Sequence, residues 1–305
     1  MVELFLSINF NLNFMEKIGI VTEETTFLPE DIVNKYQIVF APVKLHWPEI
    51  ENLPGENTFQ KMREMEKRGI KSFGKTSQPS MKDFLDAYNL QLSRFDKVIC
   101  PALTSKHSGS YNSAVQARNF LEPEKQARVF VFDSQNASCG QSLITLKITD
   151  LIQVGKSAEE IVRETIEFLP KIHFYLMLED PKWLEASGRI SPLVANLLRE
   201  MIKRDIRISI TFKEGKLTPS GIKIGARDIP NSFFKQFESE RKKLKAEDKK
   251  IRVAIFHGDC PEGAQRLKEM VEKEKNIGFV YLHIIDNVIG AITGPNTMIL
   301  SWCEI

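Results

Sequence analysis

The chain has 305 residues, 42% of them hydrophobic and 27% charged, which is enough apolar side chain for two domains and too much for a disordered segment. Lys and Arg total 42 against 40 Asp and Glu, and the formal charge of +2 creates no field that would draw nucleic acid or an anionic membrane. The four cysteines, Cys100, Cys139, Cys260 and Cys303, lie far apart with no Cys-x-x-Cys pair and no histidine at zinc-ligand spacing, so we expect reduced thiols and no metal site. A cytoplasmic protein with neither a signal peptide nor an integral membrane segment is expected.

Residues 1–14 alternate apolar side chains with Asn, unlike the rest of the chain, whereas Met15-Glu16-Lys17-Ile18 reads as a start into a first strand. We therefore expect Met15 to initiate the protein and 1–14 to be an extension, the alternative being an added edge strand. Ile18–Val21 and Ile38–Val43 read as strands around a helix near Asp31–Tyr36. Thr76-Ser77-Gln78-Pro79-Ser80 opens the next helix: Ser80 and Asp83 have capping-box spacing, and Phe84, Leu85, Tyr88 and Leu92 come after at helical intervals. Lys97–Cys100 is a strand, Ser105 to Tyr111 a hydroxyl-rich loop, and Tyr111–Phe120 a helix. Val129–Phe132 is a strand that stops at Asp133-Ser134, and a long helix runs from about Gln141 to Val154.

This alternation predicts an α/β unit over 15–170, with a mainly parallel sheet and helices on both faces. The unit closes with an amphipathic helix carrying Ala158, Ile161, Val162, Thr165, Ile166 and Leu169 on its apolar face. A second unit, 171–305, reads as α+β. His173–Leu178 and Arg207–Lys213 are strands, and Glu214-Gly215 is a hairpin turn into Lys216–Ile222. A charged helix spans Phe233–Lys245, where Arg241 to Lys245 reads as a solvated face balanced by Glu238, Glu240, Glu247 and Asp248. Strand Ile251–Phe256, a helix after Pro261, strand Gly278–Ile285 and a closing strand Met298–Trp302 complete the chain, the last packing back near the site between domains.

Ligands of open parallel sheets lie beyond the carboxyl ends of strands, so three hydroxyl-bearing loops share one rim. Backbone N–H groups freed at a helix start, with Ser hydroxyls beside them, suit a small anion, and Gly109 allows close backbone approach. Taken singly, each motif has a plainer reading. Thr76–Ser80 is a helix N-cap, Ser108–Ser110 a turn, and Arg189 a structural arginine bonding loop carbonyls. Asp133 and Ser134 either brace a loop or touch ligand, His107 is exposed, and His257 is a satisfied strand-end histidine.

Seven motifs in fixed order nevertheless resemble the DegV family of bacterial fatty-acid-binding proteins, with its EDD fold. They are Ile18–Thr22, Thr76–Ser80, Leu103-Thr104-Ser105 through Ala114, Val131–Ser134, Ser187–Ser191, His257-Gly258-Asp259 and Ile289–Pro295. The resemblance implies one long-chain fatty acid, its tail in an apolar tunnel between two domains and its carboxylate on Thr76 and Ser108. Gly109, Ser77 and Ser110 would add contacts, with Thr22, Asp133, Ser134 and Thr293 in support. It further implies no catalytic or metal residues, no cofactor beyond the acid itself, and presentation of that acid to a separate fatty acid kinase. The absence of a Gly-x-Ser-x-Gly elbow and of a P-loop agrees.

Three departures stand out. Thr22-Glu23-Glu24 replaces Thr-Asp-Ser, setting Glu24 to repel a carboxylate unless it points outward. Ile292 stands where the family has His. Ile224-Gly225 replaces Arg-Gly, with Arg227 as a shifted substitute. These changes leave open an enzyme binding a small carboxylated or phosphorylated metabolite in the same crevice, or a regulatory member with a filled tunnel.

Overall fold

In the computed structural model, residues 16–224 and 227–305 are described, so the expectations for Met15, 1–14 and Gly225 lie outside them. Strand β1 (Ile18–Glu23) is buried along its whole length, as befits an apolar run covered on both faces. After it come α1 (Glu30–Tyr36), β2 (Val39–Ala41), β3 (Lys44–His46), α2 (Pro48–Glu51), α3 (Thr58–Lys67), β4 (Lys75–Ser77) and α4 (Met81–Leu92). Next stand β5 (Lys97–Ala102), α5 (Ser110–Asn119), α6 (Pro123–Gln126), β6 (Val129–Asp133) and α7 (Ser138–Gln153). Four of these strands form a wholly parallel sheet in the order β2-β1-β5-β6, with Ile20 opposite Ile99 and Cys100 opposite Val131.

Within the strand expected over Ile38–Val43 the ladder runs only over Val39–Ala41, and a further short strand, β3, begins after it at Lys44. Pro42 has no N–H to give to a ladder, and the chain leaves the parallel sheet there. Beyond it β3 pairs antiparallel with β4 in a separate ribbon, Leu45 facing Thr76. The Thr76–Ser80 loop thus continues from a ribbon strand rather than from a strand of the parallel sheet. Its helix begins as expected: Asp83 N donates to Ser80 Oγ at 3.2 Å and Ser80 N to Asp83 Oδ2 at 2.7 Å.

The second half runs α8 (Ala158–Phe168), β7 (His173–Met177), α9 (Lys182–Ala186), α10 (Pro192–Lys203), β8 (Ile206–Lys213) and β9 (Lys216–Ile224). After it stand α11 (Ile229–Lys243), β10 (Ile251–His257), α12 (Pro261–Glu272), β11 (Ile277–Ile284), α13 (Asn287–Thr293) and β12 (Met298–Glu304). Six strands make a mixed sheet, β11-β10-β12-β7-β8-β9, in which β10 and β11 are parallel and the other neighbours antiparallel. Glu214 and Gly215, at φ 50° and 77°, make the tight turn between β8 and β9. Arg241 departs from the expected solvated face: it is buried and donates to the carbonyls of Glu247 and Lys275 at 3.2 and 3.0 Å.

Helix α7 lies between the two sheets, which explains its burial on nearly every side. Its leucines and isoleucines join one continuous core that reaches from Ile20 and Ile99 to Phe174 and Ile299. Small residues let the layers approach, and a Cβ on Gly140 would meet the Phe174 ring at 3.3 Å. Ser142 and Thr145 return their hydroxyls to the carbonyls of Ser138 and Gln141 at 3.1 and 3.0 Å, so they can be buried without cost in unpaired donors. Arg252 of β10 grips Asp150 with two bonds of 2.9 and 3.1 Å, fixing the far end of α7 on the second sheet.

Candidate functional site

Between the sheets lies a cavity of about 210 Å³. Its walls are apolar, built from Leu103 of the first half and Phe174, Leu176, Phe212, Leu217 and Ile299 of the second. The two hydroxyl loops meet at its rim: Thr76, Ser77 and Gln78 from one, Ser108, Gly109 and Ser110 from the other. Gly109 is needed for that meeting, because a Cβ there would stand 2.6 Å from Gln78 Nε2. Ser108 Oγ and Ser110 Oγ are 3.0 Å apart, and Ser110 N donates to Ser108 Oγ at 3.1 Å. Helix α5 starts here with Gly109 as N-cap and no side-chain cap, leaving first-turn N–H groups at the rim.

Of the supporting residues expected from sequence, Thr293 lines the cavity, its hydroxyl donating to Ile289 O at 2.9 Å. Thr22, Asp133 and Ser134 do not. Asp133 braces the serine loop by accepting from Ser105 N at 3.1 Å and Gln135 N at 2.8 Å, and Ser134 Oγ donates to Asn136 O at 3.1 Å. Thr22 belongs to a buried network centred on Glu23. There Glu23 Oε1 accepts from Leu103 N at 2.9 Å, and Oε2 accepts from Gln141 Nε2 at 2.7 Å. Burial raises the Glu23 pKa while these hydrogen bonds pull it back, and the network pins Leu103 at the start of the serine loop. Glu24 points outward: it is exposed and accepts from Val43 N at 3.2 Å, so the feared repulsion is not realised in the chamber. Ile292 lines the cavity as apolar wall, with no donor.

Several lining groups were not foreseen. Arg189 is half-buried, donates to Ser187 O at 3.3 Å as a structural arginine would, and also lines the cavity. Among the described residues no carboxylate pairs with it, and burial pulls its pKa down. His107 is half-buried, not exposed: Leu217 N donates to its Nε2 at 3.0 Å, and burial followed by the Arg189 charge depresses its pKa, so the ring is neutral. Thr25 Oγ1 and Ser138 Oγ are buried without a partner among the described residues, and both residues line the cavity. Thr25 sits just past the carboxyl end of a parallel strand, a position the strand-end rule could have flagged. Ser138, at φ 51° on the first turn of a long helix, carries no such signal. His257 is the satisfied histidine expected, its Nδ1 accepting from Cys260 N at 3.2 Å.

Among the described residues no helix is long and apolar enough to cross a membrane, and no group of three or more metal-ligating side chains is found. An α/β protein of two sheets, with a hydroxyl-rimmed apolar chamber between them, is the class these features define. The model of a family described as uncharacterised protein, DegV family, matches residues 17–304. A DegV domain-containing protein of Clostridium acetobutylicum is 35% identical over 214 residues, covering 67% of this chain and 71% of that protein. The solved structure of a Thermus thermophilus DegV family protein, described by its fatty acid binding, superposes with a TM-score of 0.79 at 23% identity, covering 95% of this chain and 100% of that one. A Thermotoga maritima structure described as revealing fatty acid binding function gives 0.72 at 25% identity, covering 95% and 100%. The chain belongs to the DegV family.

Proposed function

We propose that this protein binds a fatty acid, with the carboxylate at the rim formed by Thr76 and Ser108 and the acyl chain in the cavity between the sheets. Ser77, Ser110 and the Gly109 N–H add hydrogen bonds, and Arg189 supplies the charge. One observation carries the reading: an apolar chamber whose rim brings together two hydroxyl loops and an arginine with no carboxylate partner among the described residues. Thr76, His107 and Arg189 also line a neighbouring polar cavity, which places them together at one boundary of the chamber. A hydroxyl or guanidinium donating to a carboxylate makes a charge-assisted bond, while the walls contribute roughly 0.8 kcal/mol per buried methylene.

The protein is read as a binding protein rather than an enzyme. Supporting this, burial raises the pKa of every cysteine, Cys260 to about 11, and the His107 Nε2 lone pair is occupied by Leu217 N. A fatty acid kinase that phosphorylates the carboxylate is the partner the reading includes, approaching from the polar cavity beside Arg189. The reading takes 15–170 and 171–305 as two domains flanking the ligand and places the protein in the cytoplasm.

The test is purification without detergent, comparison of native and denaturing mass spectra, and extraction of the released material. A stoichiometric increment lost on denaturation and recovered as fatty acid is expected. A protein that is empty and takes up no added acid would overturn the reading.

A further inference from the structure

A cavity of about 150 Å³ is filled by the six carbons of benzene, so the chamber, about 210 Å³, takes on the order of eight carbons. A second and larger cavity, about 620 Å³, lies beside it and shares Thr25, Val43 and Val288 with its lining. Its walls are mostly apolar: Phe27, Leu28, Val33, Phe40 and Leu45, set among α1, the β2–β3 crossing and the start of α13. Phe27 is held in place by a stack on His283 at 4.6 Å and an edge contact with Phe256 at 6.1 Å.

The charged residues of this lining are all acids, Glu24, Glu30 and Asp286. Among the described residues none of the three has an ion-pair partner. Asp286 spends one oxygen on Val288 N and Ile289 N, at 2.6 and 2.7 Å, and its other oxygen is buried with no partner among the described residues. Thr25, only 1% exposed, likewise leaves its Oγ1 without a partner among them. Glu24 gives one oxygen to Val43 N at 3.2 Å, and its charge adds to the cost of ionising Asp286. Buried acceptors and like charges in this state call for a positive partner.

The lining also says what kind of cation would supply it. An inorganic ion is a poor fit, because among the described residues no three metal-ligating side chains come together, and a bare ion would make no use of the aromatic and aliphatic walls. A primary ammonium carries three N–H donors for the oxygens, and an apolar body attached to it fills the rest. The Phe27 and Phe40 rings suit either part, since an aromatic face attracts a cation as well as a hydrocarbon.

We propose that the second cavity is a binding site for an amphipathic organic amine, its ammonium held by Asp286, Thr25 and Glu24 and its apolar body lying against Phe27, Val33, Phe40 and Leu45. The site is distinct from the carboxylate rim and selects the opposite charge. It goes beyond the fatty-acid reading and does not rest on it: Glu24, Glu30 and Asp286 line the second cavity and not the chamber.

Calorimetric titration with octylammonium chloride and with octanol, which keeps the chain and lacks the charge, tests the proposal. At pH 8 the Asp286 carboxyl, pushed up to about 6, is ionised, and the amine, with a pKa near the roughly 10.4 of lysine, is protonated. Wild type should bind octylammonium at least about tenfold more tightly than octanol. Asp286→Asn should lower that preference at least about tenfold, and Glu24→Gln/Glu30→Gln, at two exposed positions, about threefold or more at low ionic strength. Octanol bound as tightly as octylammonium by wild type, or no binding of octylammonium, would overturn the proposal. So would a preference that survives in Asp286→Asn or, should that variant not fold, in Glu24→Gln/Glu30→Gln. No acid enters the titration, so its failure and the failure of the fatty-acid reading are separate results.

Discussion

Arg189 offers the sharpest test of where the carboxylate lies. Its guanidinium is half-buried at the chamber wall, bonded to one loop carbonyl at 3.3 Å and paired with no carboxylate among the described residues. Arg189→Gln keeps most of the side-chain volume and removes the charge. A hydrogen bond to a charged group contributes about 1.5–3 kcal/mol, so acid affinity should fall about tenfold to a hundredfold. Folding stability should move by less than about 1 kcal/mol, or rise, because the change removes a partly desolvated charge that no carboxylate among the described residues compensates. Titration calorimetry with dodecanoate and with methyl dodecanoate separates the effects, since the ester keeps the chain and lacks the charge. The expected pattern is loss of acid affinity with ester affinity unchanged. An Arg189→Gln protein that binds dodecanoate within twofold of wild type, or that weakens acid and ester alike, would show that the carboxylate sits elsewhere.

Thr76→Ala combined with Ser108→Ala removes two rim hydroxyls, and at about 1 kcal/mol each should weaken dodecanoate by roughly tenfold to thirtyfold with no loss of folding; full retained affinity in the same titration would refute the rim assignment. Gly294 has φ 83° and ψ 172°, a region open to glycine alone, and a Cβ there would overlap the buried Trp183 indole. Gly294→Ala should therefore cost about 2–6 kcal/mol in urea unfolding, the sum of backbone strain and overpacking, and a cost under about 1 kcal/mol would contradict the geometry. Asp286 titrates near pH 6, burial raising it above its ordinary 3.8. The folded state therefore binds its proton more tightly than the unfolded chain, and the carboxylate destabilises above pH 6, a cost relieved as the pH falls from 6 towards 4. Asp286→Asn keeps the N-cap on α13 and should be more stable than wild type near pH 8, with the difference gone near pH 4; a difference independent of pH would disprove the assignment.

What could be read from the sequence was local. The apolar runs of β1, β5 and β6 end at polar loops, and their alternation with helices is enough to imply a parallel sheet. Ser80 with Asp83, and Glu214 with Gly215, announce a cap and a turn through contacts within four residues. The early end of β2 is hidden because the apolar pattern continues through Pro42 to Val43, and the short ribbon strand β3 beyond it carries no apolar run that would announce it. Helices α3, α9, α10 and α13 went unread, and with α9 and α13 went much of the second wall: Leu184, Ile289 and Ile292 reach the chamber from residues remote in sequence. Arg189 is similar. Its flanking Ser-Gly and Ile-Ser mark a turn, whereas its place in the same cavity lining as Thr76, more than a hundred residues earlier in the chain, is a tertiary fact with no local signal.

The balance of forces in the proposed complex explains why the rim is mostly hydroxyl. About eight methylenes in the chamber alone contribute roughly 6 kcal/mol before ordering costs, more than one arginine bond supplies. The tail therefore sets affinity and the head sets orientation. A rim with several cations would deepen the well for the carboxylate and hold it against a partner that must reach it, whereas Ser and Thr donors, each worth about 1 kcal/mol, can be exchanged for water singly. With Ile292 adding only apolar wall, the proposed reading leaves the carboxylate to be oriented by Thr76, Ser108 and the Arg189 guanidinium, which has no carboxylate partner among the described residues. Removal of that guanidinium is accordingly the change that most cleanly separates acid from ester.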